Sequence, residues 1–243
     1  MKDFLLDLVR HTQSLGIIDA VKITGTDTVT SFSAVAEDRS VVVQGKFHQP
    51  MADFIGTFGI PNLNKLNVLL NIQEYKEDAN ISVTRQKRND VDVPVGIHFE
   101  NKAGDFKNDY RFMSTEIINE KVKDVKFLGA NWHVEFKPTV NSIQRFKFQS
   151  QANNEETTFI AKVDGDNLVF YFGDHSTHAG NFVFESGVTG KLSKGWSWPV
   201  TQVLSILGLS GDISMKFSDD GAAQIVIDSG IAEYTYILPA HRK

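Results

Sequence analysis

The side chains best equipped for chemistry gather in Asp174-His175-Ser176-Thr177-His178. Two imidazoles three positions apart beside a carboxylate are ligands for a divalent cation, and through His175 and His178 they would serve a metal-dependent hydrolase. The spacing fixes no third ligand, and a solvated hairpin loop accounts for the same residues. Arg85-Gln86-Lys87-Arg88 reads as a phosphate contact or as a solvated turn between strands. Gly25-Thr26-Asp27 and Asp164-Gly165-Asp166 lack the glycine run and lysine of a phosphate loop and read as turns. Trp196 and Trp198 flank Ser197 with strand alternation, which sends one ring to the core and one to the surface. The outer ring would stack on a base, pack locally or meet a second subunit. No Ser/His/Asp grouping has the spacing of a catalytic motif.

Composition narrows the setting. With 243 residues, 41% hydrophobic and 23% charged, the chain can bury a substantial core as one large domain or two ordinary ones. No apolar run approaches the roughly 18 residues of a membrane span. The opening MKDFLLDLVRHTQ has acids inside its apolar stretch and no small-residue cleavage site, so it does not read as a signal peptide. The lack of cysteine removes disulfides, thiolate metal sites and cysteine nucleophiles together, and it fits a cytoplasmic protein. A net charge of −5 argues against a body that coats itself in nucleic acid, yet it leaves room for a local basic face.

The elements that must position these residues follow from periodicity. A first helix is expected over 2–15, with Phe4, Leu5, Leu8 and Leu15 on one side and Asp3, Asp7, Arg10 and Ser14 on the other. Strands are expected over 20–24, 29–36 and 41–47, then a short helix over 51–59 stopped by Pro61, then strands over 66–72, 80–84, 95–100 and 109–113. The charged, amphipathic stretch 114–126 reads as a connector. After it come a strand over 132–136, a helix over 140–149, strands over 158–163, 168–172 and 181–186, a helix over 200–207, and strands over 213–218, 222–228 and 233–238. Pro199 opens the last helix, whose Val200, Val203, Leu204 and Leu207 share one face and whose Thr201, Gln202 and Ser205 share the other. On the helix before it, Arg145 lies opposite Val140, Ile143 and Phe146, alongside Asn141 and Gln149. Each half therefore runs helix, strands, helix, strands. Two short helices per half cannot cover so many strands, so they are expected to gather on one side of the sheets.

Four stretches in this order, KDFLLDLVRHTQSL, DRSVVVQGKFHQPMADFIGTFG, KNDYRFM and AEYTYILPA, resemble those of sliding clamps, the DNA polymerase processivity factors, of the tailed-phage type. PCNA-type cellular clamps have a similar strand into helix, a similar Asp-Tyr strand and an apolar-Pro tail in the same order. The likeness runs over essentially the whole chain and rests on ordered elements rather than on one short motif. It implies an α+β DNA-clamp fold of two similar domains, 1–113 and 131–243 joined by a connector at 114–130, with helices lining an inner face and antiparallel sheets outside. Two such domains per chain imply a homotrimeric ring that encircles duplex DNA and tethers the replicative polymerase, so that rebinding becomes a local event. It implies no chemistry and no cofactor; ATP belongs to the clamp loader. DNA contacts would be electrostatic and indifferent to sequence.

Carried onto this chain, the resemblance puts Lys2, Arg10, Asn62, Lys65, Arg145, Lys147 and Lys194 at or near the DNA, with Lys147 snorkelling from the apolar side of its helix. It implies a partner-peptide pocket drawing on Val43, Ile117, Ile118, Val122, Leu238 and Pro239. It also implies a subunit contact between Asp109, Tyr110, Arg111, Phe112 and Met113 of one copy and Asn181, Phe182, Val183, Phe184 and Glu185 of the next. The implied partners are the polymerase, the loader, further copies of the chain and late-transcription factors, in the cytoplasm of an infected host cell and away from any membrane. The alternative is a non-enzymatic, strand-rich phage structural or adhesion protein, since many strands with glycine turns also suit sandwiches.

Overall fold

Leu5, Leu8 and Val9 are buried on the first helix, α1 (Lys2–Thr12), and a 3-10 turn over Gln13–Leu15 finishes it. The structure, a computed structural model, describes residues 1–88, 91–122, 129–174, 176 and 178–241. The chain divides into two units, Met1–Lys126 with Ser229–Tyr234, and Phe127–Asp228 with Thr235–Lys243.

In the first unit, β1 (Val21–Gly25), β2 (Thr30–Val35) and β3 (Val42–Phe47) form an antiparallel meander. Strict alternation builds it: Thr30, Phe32 and Ala34 are buried while Ser31, Ser33 and Val35 are half-exposed. Strand β4 (Gly56–Ile60) returns to the open side of β1, giving the order β4-β1-β2-β3. Helix α2 (Leu63–Asn71) packs on α1. Then β5 (Asn80–Arg88), β6 (Val91–Glu100) and β7 (Lys107–Arg111) make a three-stranded antiparallel sheet. The expected connector contains a short helix, α3 (Thr115–Lys121), whose buried Ile118 packs with Ala20 and Val122.

Two expectations fail between residues 51 and 72. The helix predicted over 51–59 is a single 3-10 turn, Ala52–Phe54, followed by β4. Gly56, at φ 119, Thr57 and Gly59 are poor helix material, and the unpaired edge of β1 takes the segment as a strand. The strand predicted over 66–72 is α2. Leu66, Val68 and Leu70 satisfy a two-residue period, but Leu63, Leu66 and Leu70 satisfy i, i+3 and i+7, and these with Leu69 are the buried ones. Asn62 decides the matter: its Oδ1 accepts the Lys65 N–H at 3.1 Å, capping the helix start. Pro61 precedes a helix rather than ending one.

In the second unit, β8 (Val134–Phe136) leads into α4 (Val140–Ala152), then β9 (Thr158–Asp164), β10 (Asn167–Phe172), β11 (Gly180–Ser186) and the short β12 (Ser197–Pro199). These last four make the sheet β11-β10-β9-β12. Helix α5 (Val200–Leu207) packs on α4, and β13 (Asp212–Ser218), β14 (Ala222–Asp228) and β15 (Ala232–Pro239) close the chain, with β8 on the far side of β13. The core here is aromatic. Phe146 of α4 lies 4.9 Å from Phe159 and 5.3 Å from Phe170 in edge-on geometry, and Phe170 stacks on Phe184 at 4.3 Å. One ring thus fixes the helix to three strands.

The expected repetition of element order is present and extends to topology. The short strand before each second helix folds back beside the first strand of its set, so β4-β1-β2-β3 is matched by β12-β9-β10-β11. Sequence reading had no strand for 56–60 and caught only the alternation around Ser197.

Candidate nucleic-acid interface

Helices α2, α4 and α5 contain no carboxylate. Helix α1 contains two, Asp3 at the surface and Asp7 buried. Lys2, Arg10, Lys65, Arg145 and Lys147 stand against them. The chain carries 30 acidic residues, so four helices with Asp3 as their one surface acid are a local reversal of the overall sign. Half of the remaining exposed positions are amides, Asn64, Asn71, Asn141, Gln144 and Gln151, and the others include Val68, Val140 and Phe148. Such side chains hydrogen-bond phosphate or water without adding charge.

Each predicted DNA residue has a distinct setting. Arg10 and Lys65 are exposed on α1 and α2. The Lys2 ammonium donates to the carbonyls of Tyr75 and Lys76, so its charge is tied to the end of a neighbouring turn. Asn62 is occupied as the α2 cap and sits at φ 47. The Arg145 guanidinium lies 5.5 Å over the Phe182 ring, which holds it to one side of α4. Lys147 is exposed outright and does not snorkel. The buried side of α4 carries Ser142 and Phe146, and at 100° per residue Val140, Gln144, Lys147 and Gln151 lie opposite it. Val140 was expected on the apolar side but is 85% exposed, and Phe148 is 61% exposed. Lys194 is on no helix; it lies in the loop before β12, where its backbone N–H donates to Asp219.

Asp7 corrects the expected polar face of α1. Its carboxylate accepts from Tyr234 Oη at 2.7 Å and Ser229 Oγ at 2.9 Å, with His11 Nδ1 at 3.3 Å, and His11 stacks on Tyr234 at 4.4 Å. Burial works to raise the Asp7 pKa, but the hydrogen bonds from His11, Tyr234 and Ser229 outweigh it and hold the group below the usual carboxylate value. An Asp, a His and a Tyr in contact would suit proton transfer, but His11 is fully buried and no substrate reaches it. Asp219 is a second such hub. It accepts from Ser193 N and Oγ and from Lys194 N, while its own carbonyl receives the Trp196 indole at 2.7 Å. Burial pushes its pKa up, and the Ser193 and Lys194 donors bring it down to below normal. Tyr110, buried beside Asp19, is raised.

The other predicted sites resolve as follows. His175 lies outside the described residues, His178 is exposed, and Asp174 Oδ1 already accepts from the Ser176 N–H and hydroxyl. Among the described residues no group of three or more ligands could hold a metal. Arg85 is bound to Asp92 at 2.8 Å and to the carbonyls of Asp53 and Ile55, which pins β5 to the 52–54 turn. Trp198 is buried and Trp196 half-exposed, as alternation requires. In the partner-peptide set, Val43, Ile118, Val122 and Leu238 are core side chains, whereas Ile117 and Pro239 are exposed. In the subunit set, β7 and β11 are both edge strands, and Met113 exchanges backbone hydrogen bonds with Gly59. A cleft of about 570 Å³ is lined by Asp19, Glu37 and Asp38, a charge that repels phosphate.

No family model matches the chain, and no curated protein matches it. Solved structures do. An A. fulgidus PCNA, solved with the C-terminal region of FEN-1 bound, is 11% identical with a TM-score of 0.68, over 100% of this chain and 96% of that one. The PCNA of Thermococcus kodakaraensis is 11% identical with a TM-score of 0.67, over 99% and 97%. Identity this low carries no residue correspondence, but full-length coverage in both directions fixes the architecture: the chain has the PCNA-type clamp fold, with mixed helices and antiparallel sheets.

Proposed function

We propose that the chain is a sliding clamp: a homotrimeric ring around duplex DNA that tethers a replicative polymerase and performs no chemistry of its own. The observation that carries this reading is the near absence of acids from α1, α2, α4 and α5 in a chain of net charge −5. Solubility alone gives no reason to strip carboxylates from α2, α4 and α5 and to leave one at the surface of α1. A phosphate surface does, because each exposed acid facing it would be repelled. The few cations and many amides suit loose, hydrated contact, which a sliding protein needs more than tight grip. A ring would be opened and placed by a loader ATPase. The tailed-phage setting, action in the infected cell's cytoplasm and service to late transcription extend the same reading from the sequence resemblance. The A. fulgidus clamp was solved with a partner's C-terminal region bound; here Ile117, 55% exposed above the packed Ile118, offers such a peptide an apolar contact.

Topology supplies the test. Protein loaded on a nicked circular duplex, with loader and ATP, is expected to survive a high-salt wash and to be lost once the circle is cut. Equal loss from circular and linear DNA would overturn the clamp reading, since ordinary electrostatic binding ignores ends.

A further inference from the structure

In the duplicated topology β13 and β14 of the second unit are the counterparts of β5 and β6 of the first. The likeness reaches single residues: Asn80-Ile81-Ser82-Val83-Thr84 opens β5 as Asp212-Ile213-Ser214-Met215-Lys216 opens β13. The outer edge of β13 is covered. Strand β8, which leads into α4, pairs antiparallel with it and sets Phe136 opposite Met215, Glu135 opposite Lys216 and Val134 opposite Phe217. Val134, Met215 and Phe217 are buried in this pairing, and Glu135 meets the Lys216 ammonium at 2.8 Å. In the first unit α1 begins at Lys2, and among the described residues no strand lies beyond β5. Ile81 and Val83 stand opposite the buried Phe99 and Ile97 of β6, on the core face, yet both are only half-buried. Their backbone is open as well. The Phe112 N–H donates to the Val95 carbonyl and the Asn101 N–H to the Phe106 carbonyl, so odd-numbered residues of β6 bond to β7 and even-numbered ones to β5. The register then joins Asn80, Ser82 and Thr84 to β6 and turns the N–H and C=O of Ile81 and Val83 outward.

We propose that the open edge of β5 takes a strand from another protein: an extended segment, antiparallel to β5, with acids at its N-terminal end and alternating apolar residues after them. The inference stands on the first unit alone and does not use the ring reading. Strand β8 is the template for the pairing and for the alternation, since Val134, Glu135 and Phe136 run apolar, acid, apolar. Main-chain bonds to Ile81 and Val83 would supply affinity. Apolar side chains set opposite these two would complete the cover that β8 gives Met215 and Phe217. Charge fixes the order of the segment. Strand β5 ends in Arg85-Gln86-Lys87-Arg88, and the N-terminal end of an antiparallel partner lies beside that run. Arg85 is tied to Asp92 and to the carbonyls of Asp53 and Ile55, whereas Lys87 is exposed and available to a carboxylate.

The test uses the full chain and a dye-labelled peptide, EDEETVTI, read by fluorescence anisotropy. The peptide is expected to bind, and the same residues shuffled to break the alternation should bind about tenfold more weakly. Backbone N-methylation isolates the edge pairing, because it leaves every side chain in place. Methyl groups on the peptide nitrogens that face β5 should weaken binding about tenfold, and on those that face away should leave it unchanged. Val83→Pro removes an outward N–H without touching the bonds to β6 and should abolish binding; if that variant does not fold, methylation decides on the wild-type chain. Lys87→Glu should weaken binding about threefold and improve that of a peptide with lysines in place of the acids. In hydrogen exchange, the Ile81 and Val83 amides should be fast in the free chain and slow with peptide, while Ser82 and Thr84 stay slow in both. No binding, equal binding of the shuffled peptide, or equal effects of the two methylation patterns would overturn the proposal. Slow exchange of Ile81 and Val83 in the free chain that speeds up on dilution would give the edge to a second copy and overturn it too.

Discussion

Asp7 on α1 and Arg145 on α4 do opposite work. Asp7 is a fastening, with Tyr234 and Ser229 brought to it from the far end of the chain. Removing it takes an acceptor from the buried Tyr234 hydroxyl and the half-buried Ser229, so Asp7→Ala should cost about 2–3 kcal/mol in denaturant unfolding. Its pKa is lowered by folding. Its contribution is therefore complete above the unfolded carboxylate value near 4 and is lost as pH falls through the folded value. Wild type should lose melting temperature in that acid window more steeply than Asp7→Asn; parallel curves would refute the assignment. Arg145→Ala removes only a surface cation over a ring and should cost under about 1 kcal/mol. It should nonetheless shorten retention on circular DNA, and unchanged retention would take Arg145 out of the contact. The exposure of Arg10 and Arg145 was readable from helical spacing. The burial of Asp7 was not, because its partners lie 222 and 227 residues away.

At the scale of elements, the informative segment is the turn from β4 into α2. Asn62 holds a left-handed backbone, φ 47, and caps the helix with its side chain. Asn62→Gly should lose only the cap, a few tenths of a kcal/mol, while Asn62→Ala loses the cap and strains the backbone, about 1–2 kcal/mol. Equal effects in thermal unfolding would mean that the left-handed turn contributes nothing. Most strands were legible because alternation and turn residues agree, as in Thr30–Val35. The exceptions, β4 and α2, are segments whose local pattern fits two periods, and the pairing partner decided between them. For β4 that partner is the open edge of β1.

For the whole molecule, element order proved more durable than the placement of any single helix. The two-fold repetition survived the exchange of a helix for a strand near residue 60, because each four-stranded set still ends in a strand returning to its first. The candidate site was legible in outline, as polar helices on an acidic chain. The resemblance had already named 109–113 and 181–185 as a subunit contact, and sheet order puts β7 and β11 at sheet edges among the described residues. The central claim, that these edges join copies into a closed ring, is tested most directly by light scattering on a size-exclusion column over a concentration series. The account predicts a particle three times the 27.1 kDa of one chain, giving way to single chains on dilution. A single-chain mass at every concentration would contradict it.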